Sequence, residues 1–332
     1  MRLFVEQWRS GQRETCQEVS AVLVEGEQLR WQVGEDFPCF WRSGCKPMQL
    51  TTSLEHLPPE LLSWLKEEDL ALGSASHSGE PEHVARVLRL LRHFRLKPQQ
   101  LRCGSHLPLN EAARDRLLHR RLPATTLHSN CSGKHSFMLA ASKHQGWDLN
   151  YLPLQHPLQQ ANLRRITEWS GQAPGTAVDG CGVPTFHLPL AAMARAFARL
   201  AAEMNVEGSL AGRIGWAMHR HPWYMSGTGR LDRTVVQGAN EPLTVKVGAE
   251  GLFSIALPQR NMGLVIKVHG GTDTHLAVGV RAVLEELFPG ILGETPWPWA
   301  ELKNIAGLVV GERRARWVHS ALDAGGTVAI HS

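Results

Sequence analysis

Leu243 to His269, LTVKVGAEGLFSIALPQRNMGLVIKVH, contains three short runs rich in aliphatic and β-branched residues. The runs LTVKV, LFSIAL and GLVIKVH are separated by GAEG and PQRNM, clusters that favour turns. Runs of this kind, so bounded, predict a three-strand antiparallel meander. The same grammar occurs near the N-terminus, where EVSAVLV (Glu18–Val24) and LRWQV (Leu29–Val33) flank EGEQ and predict a hairpin. Between these regions the apolar spacing is helical. Val84, Val87, Leu88, Leu91 and Phe94 share one face after Ser78-Gly79-Glu80, and Leu190–Met204 and Ala277–Phe288 behave likewise.

Strands at both ends and helices in the middle predict an α+β chain, not a doubly wound one. The expected architecture is one antiparallel sheet built from about residues 1–35 and 240–330, packed with helices, plus a mainly helical inserted region over about 50–235. No repeat or low-complexity segment interrupts the chain, so residues 1–332 are expected to form a single domain. The Pro-rich GETPWPW (Gly293–Trp299) is expected to cross the surface.

Composition narrows the function classes. A chain of 332 residues can bury a sizeable core; 43% of them are hydrophobic and 20% charged, as in an ordinary globular protein. No apolar run approaches the roughly 18 to 20 residues that span a bilayer. The N-terminal MRLFVEQWRSGQRETC places charges before any segment of signal-peptide length, which predicts a cytoplasmic address. The net charge of +4 is spread along the chain with no basic, aromatic-interleaved stripe, so nucleic acid is not expected as a partner. Six cysteines in a chain of this length predict reduced thiols, most of them small buried hydrophobes.

Lysine is scarce. Of 35 basic residues only Lys46, Lys66, Lys97, Lys134, Lys143, Lys246, Lys267 and Lys303 are lysines. Arginine does not lose its proton at accessible pH, whereas a buried lysine can become a neutral base or ligand. A lysine kept beside a serine or cysteine is therefore a candidate for chemistry.

Ser43 and Lys46, in Arg42-Ser43-Gly44-Cys45-Lys46-Pro47, lie three apart, so on a helical turn the amine can reach the hydroxyl. A desolvated lysine in a Ser-x-x-Lys pair takes the serine proton and frees an alkoxide for attack on a carbonyl. Lys246-Val247-Gly248 ends a predicted strand, where the Lys-Thr-Gly element of the β-lactamase and penicillin-binding class sits; an exposed strand lysine beside a turn is the plain alternative. In Ala75-Ser76-His77-Ser78-Gly79-Glu80, Ser78 can cap the following helix, which leaves Ser76 as a candidate partner for Lys246.

The stretch Ser129-Asn130-Cys131-Ser132-Gly133-Lys134-His135-Ser136 lacks the glycine spacing of a phosphate loop. It reads as a helix start that Asn130 or Ser132 could cap, with Cys131 and Lys134 on one face. Cys181 lies 50 residues after Cys131, in the glycine-rich VDGCGVP. Two such thiols suit Zn²⁺ or equally serve as buried structural groups, and spacing alone leaves both readings open.

At these residues the chain resembles the bacterial L-asparaginase II family of the Rhizobium etli type, the serine-lysine asparaginases. The resemblance runs in order through VEQWRSGQ, RSGCKPMQ, ASHSGE, LRCGSH, SNCSGKHSFMLA, YLPLQHPLQ, VDGCGVPTF, HPWYMSGTGR and VKVGAEG. It implies a fold related to serine β-lactamases and glutaminases, a homodimer, and two tandems, Ser43 with Lys46 and Ser76 with Lys246. It also implies a Zn²⁺ site on Cys131, Lys134 and Cys181. The chain departs from the family after Phe288, where it is shorter and richer in Trp, and in its last segment, ALDAGGTVAIHS.

The expected reaction is hydrolysis of L-asparagine to L-aspartate and ammonia through an acyl-enzyme. A free amino-acid substrate carries both charges, and Arg42 and Asp179 are the candidate anchors for them. The rival expectations are another Ser-Lys amidase, glutaminase or β-lactamase-like, and a non-catalytic zinc- or amino-acid-binding relative.

Overall fold

The computed structural model describes residues 1–319. In chain order its strands are β1 (Arg2–Arg9), β2 (Gln12–Glu25), β3 (Gln28–Val33), β4 (Pro38–Phe40), β5 (Gly175–Val178), β6 (Pro184–Pro189), β7 (Thr244–Gly248), β8 (Leu252–Leu257), β9 (Met262–Val268), β10 (Glu301–Lys303) and β11 (Val309–Val318). Helices α1 (Lys46–Glu55), α2 (Pro59–Trp64), α3 (Glu67–Gly73), α4 (Pro81–His93), α5 (Glu111–His119), α6 (Ser132–His144) and α7 (Pro157–Ser170) fall between β4 and β5. Four more, α8 (Leu190–Glu203), α9 (Leu210–Arg220), α10 (Pro222–Met225) and α11 (Leu231–Gly238), precede β7, and α12 (Asp273–Leu287) follows β9.

The main sheet runs in the order β10-β11-β1-β2-β9-β8-β7, with β3 paired to β2. Every pairing is antiparallel, and the two ends of the described chain meet where Arg2 faces Val318. This is the α+β architecture expected, with the meander as β7-β8-β9 and the hairpin as β2-β3. The stretch 320–330, counted in the expected sheet, lies outside the described residues.

Residues 19–24 of β2 are buried without alternation because both faces of the sheet are covered. Val19, Ala21 and Leu23 join an apolar cluster that contains Leu276 and Val280 of α12. Val22 and Val24 face the other way, into a cluster with Ala194 and Phe197 of α8. α8 comes so close that a Cβ on Gly263 of β9 would stand 2.0 Å from the Ala194 carbonyl oxygen. Only glycine lets helix and sheet backbones touch there.

Most of the remaining helices pack beside the β7 edge and continue the first cluster through Leu50, Leu72 and Phe137, and residues 132–142 of α6 are buried on every side. A small sheet, β4-β6-β5, interrupts this helical region. Two local expectations differ. α4 starts at Pro81 with Glu80 at its N-cap, and the Ser78 hydroxyl donates instead to the Ser226 carbonyl at 2.8 Å. α6 starts behind Cys131 without a side-chain cap from Asn130 or Ser132. The Pro-rich crossing exposes Glu294, Pro296 and Pro298 and is anchored by Trp297, which packs into the main core.

Candidate active site

The site begins at a strained turn. Trp41 is buried: its indole Nε1–H donates to Ser254 Oγ of β8 at 3.2 Å and its amide to the Phe186 carbonyl of β6 at 2.8 Å. Arg42 follows with φ +53°, a left-handed conformation that a non-glycine residue adopts only where its surroundings impose it. Its amide is fixed by Thr185 Oγ1 at 3.1 Å. The chain then enters a 3-10 turn, Arg42–Cys45, that leads directly into α1. Ser43 is half-buried at the head of this turn, and Lys46, one turn on, is fully buried. Gly248 closes the β7 side: a Cβ there would lie 2.8 Å from the Trp41 carbonyl oxygen.

The Lys46 amine donates to Ser76 Oγ at 3.0 Å and to the Ala75 carbonyl at 2.6 Å, and makes no hydrogen bond to Ser43 among the described residues. Ser76 is therefore brought to Lys46, where a partnership with Lys246 was expected. Residues 74–80 have no helical or strand structure, which lets the chain carry Ser76 inward. Its amide donates to the Met225 carbonyl at 3.1 Å. Next to it, His77 Nδ1 accepts from the Gly79 amide at 3.1 Å, so the ring proton is on Nε2, which donates to Ser132 Oγ at 2.9 Å. Burial, with His83 and Lys46 close by, holds this imidazole well below its ordinary pKa and keeps it neutral. It ties the Ser76 segment to the head of α6.

Lys246, also fully buried, donates to the Val247 carbonyl at 2.8 Å and stands 4.0 Å from Asp232 Oδ1. Asp232 Oδ1 accepts from the Val247 amide at 2.8 Å, which caps the free edge of β7. Burial, opposed by Asp232 and assisted by the charges of Lys46 and Arg230, lowers the Lys246 pKa to about 7. A large fraction of this amine is thus neutral near physiological pH. Asp232 escaped the sequence reading because an acidic residue in a first helical turn looks like ordinary helix-end charge.

Cys131, Lys134 and Cys181 converge. Lys134 Nζ is 3.5 Å from Cys181 Sγ. The neighbouring Cys131 side chain draws the Cys181 thiol down to about 5, against burial and with help from Lys134. Cys181, with burial, pushes Cys131 up to about 12, so Cys181 is the one of the pair that ionises first, and the Cys131 thiol donates to Asn130 Oδ1 at 3.3 Å. Lys134 stays charged: burial opposes this, but Cys181 and Cys131 raise its pKa. Among the described residues no group of three or more His, Cys, Asp or Glu is gathered to hold a metal, so any metal here needs the lysine nitrogen. Two sulfurs and one nitrogen form a donor set that suits zinc.

Arg42 and Asp179 join the two halves of the site. Arg42 Nε donates to Asp179 Oδ1, which also accepts from the Gly180 amide at 2.9 Å; Asp179 Oδ2 is 3.7 Å from Cys181 Sγ. Burial works to raise the Asp179 pKa, but Lys134 and Arg42 pull it below its usual value. The two proposed anchors are thus partners of each other.

A serine on a strained turn, two fully buried lysines and a second serine on one of those amines are groups from which nucleophilic catalysis can be assembled. The L-asparaginase II family model matches residues 5–315, which makes the class an amidohydrolase. The chain belongs to the L-asparaginase II family. Among curated proteins none matches it. It is similar to a solved β-lactamase from Mycobacterium bovis at 14% identity and a TM-score of 0.42, covering 81% of this chain and 94% of that one. Simvastatin synthase from Aspergillus terreus is similar at 12% identity and a TM-score of 0.38, with 78% and 87% covered. No described helix is long and apolar enough to cross a membrane.

Proposed function

We propose that the protein hydrolyses L-asparagine to L-aspartate and ammonia through an acyl-enzyme on Ser43. What supports this reading is the Lys46 amine, one turn after Ser43 and hydrogen-bonded to Ser76. Ser43 Oγ attacks the side-chain amide carbon, and its proton passes through Lys46 and Ser76 to the departing nitrogen, which leaves as ammonia. A water molecule then adds to the ester, its proton returns to Ser43 Oγ, and aspartate is released. Lys246, partly neutral near pH 7, takes up that proton from the Ser76 side and gives it on to the departing nitrogen.

Asp179, with Oδ2 outside its pair with Arg42, faces the substrate ammonium, and Arg42 holds Asp179 in place. Zinc would be held by Cys131, Cys181 and Lys134, the lysine giving up its proton on coordination. When bound it supplies a fixed positive charge that positions the substrate or braces the pocket. A single domain, a homodimer and a cytoplasmic address complete the reading; light scattering and cell fractionation test the last two.

The deciding experiment is ammonia release from L-asparagine and L-glutamine by the wild type and by Ser43→Ala. Release from asparagine by the wild type alone is expected. Equal release by a folded Ser43→Ala protein removes Ser43 as the nucleophile.

A further inference from the structure

The reading above leaves one charge of the substrate unmatched. Arg42 is taken up by Asp179, Lys134 stands 3.5 Å from Cys181 Sγ, and Lys246 lies beside Asp232, so none of these cations is free for the α-carboxylate. Arg230 differs. Its guanidinium forms no ion pair and no side-chain hydrogen bond among the described residues, and its Nε is sealed from solvent without a partner. A buried charged donor left unsatisfied is costly, and native structures rarely keep one without a use.

Its position is fixed by the two catalytic elements. The segment Met225–Asp232 is tied at one end to the Ser76 amide, through the Met225 carbonyl, and at the other to the Val247 amide, through Asp232. Between these ties the loop is held at two further points. The Thr228 amide and hydroxyl donate to the Glu80 carboxylate at 2.8 and 2.9 Å, and Gly227, at φ +122°, is pressed against the Ser78 hydroxyl. Arg230 stands two residues before Asp232, whose carboxylate lies 4.0 Å from Lys246 Nζ. With Val247, Asp273 and Trp299 it lines a cleft of about 80 Å³ at the β7 edge, and Asp273 does not pair with it.

Resting on the asparagine reading, we infer that Arg230 is the specificity residue that binds the substrate's α-carboxylate. The planar guanidinium fork matches a carboxylate in two parallel hydrogen bonds, and a preset loop spares the substrate the cost of ordering it. A site built to bond a group rejects the analogue that lacks it.

The test compares L-asparagine with 3-aminopropanamide, which is asparagine with hydrogen in place of the α-carboxylate. In Arg230→Gln the ratio of the two kcat/KM values, asparagine over analogue, falls about 30- to 100-fold, mostly through the KM for asparagine. Arg230→Lys regains part of the loss. An unchanged ratio overturns the inference, including the case where both substrates suffer equally, as a purely structural arginine would cause. Calorimetric titration with L-aspartate decides independently of turnover. Binding to the wild type that Arg230→Gln weakens supports the role; equal binding, or none to the wild type, overturns it. A wild type that binds aspartate in this Arg230-dependent way but hydrolyses neither amide leaves the carboxylate site standing and removes the asparaginase reading.

Discussion

Lys46 Nζ reaches Ser76 Oγ at 3.0 Å, although the two residues are 30 apart in sequence and belong to different elements. The lysine sits one turn after one serine and bonded to another, so its loss removes both relationships. Lys46→Ala and Ser43→Ala are each expected to lower kcat for asparagine by at least about 10⁴-fold. Ser76→Ala, which deletes a relay and leaves a nucleophile, is expected to cost about 10²- to 10⁴-fold. Hydroxylamine trapping of the acyl-enzyme distinguishes them: Ser76→Ala still forms the adduct at Ser43, and a labelled Ser76 would reverse the assignment.

The Lys246 amine sets the pH profile. As a base it works only when neutral, so kcat/KM is expected to rise through about pH 7 and level off above it. Asp232 favours the charged amine; in Asp232→Asn the limb therefore moves to lower pH, and a limb that stays put or moves upward refutes the assignment.

The same amine weakens the fold. A lysine whose folded pKa lies below its unfolded value near 10.5 destabilises the native state fully below about pH 7, and the penalty fades as pH rises toward the unfolded pKa. Lys246→Met is expected to melt higher than the wild type at pH 6 by several degrees, with a smaller gain at pH 9.5, while losing activity. Scanning calorimetry at the two pH values checks both the sign and the trend.

Arg42 and Asp179 act as a pair, so their substitutions are not independent. A double-mutant cycle on stability with Arg42→Ala and Asp179→Ala is expected to give a coupling of about 0.5–3 kcal/mol. Additive effects would mean the contact contributes nothing.

Metal content tests the cysteine-lysine cluster. Protein purified without added zinc is expected to carry the metal, and Cys181→Ser and Cys131→Ser to lose it. Equal zinc in wild type and Cys181→Ser removes Cys181 as a ligand.

How much was legible in the sequence follows from where each signal resides. The meander and hairpin were readable because β7, β8, β9 and the inner part of β2 are apolar runs between turn residues. β1 and β11 were not, since RLFVEQWR and VVGERRARWV intersperse arginine and glutamate among their apolar residues and declare themselves only when paired. The site residues were legible by type, as scarce lysines near serines or cysteines. Their pairing was not: the Lys46–Ser76 contact depends on an irregular segment whose path no local periodicity encodes. Asp232 and Arg230 gave no signal at all, because each looks like ordinary charge at a helix start.

The pairing of Val19 with Val268 places a limit on the order of events during synthesis. The apolar inner segment of β2 emerges from the ribosome early, but the strand that covers its open edge follows 249 residues later. At roughly 5–20 residues per second that delay is about 12–50 s. Through it the nascent chain carries an unpaired, strongly β-prone edge while the helices of the middle region assemble, so recombinant yield should respond to translation speed and to chaperones more than the stability of the finished sheet suggests.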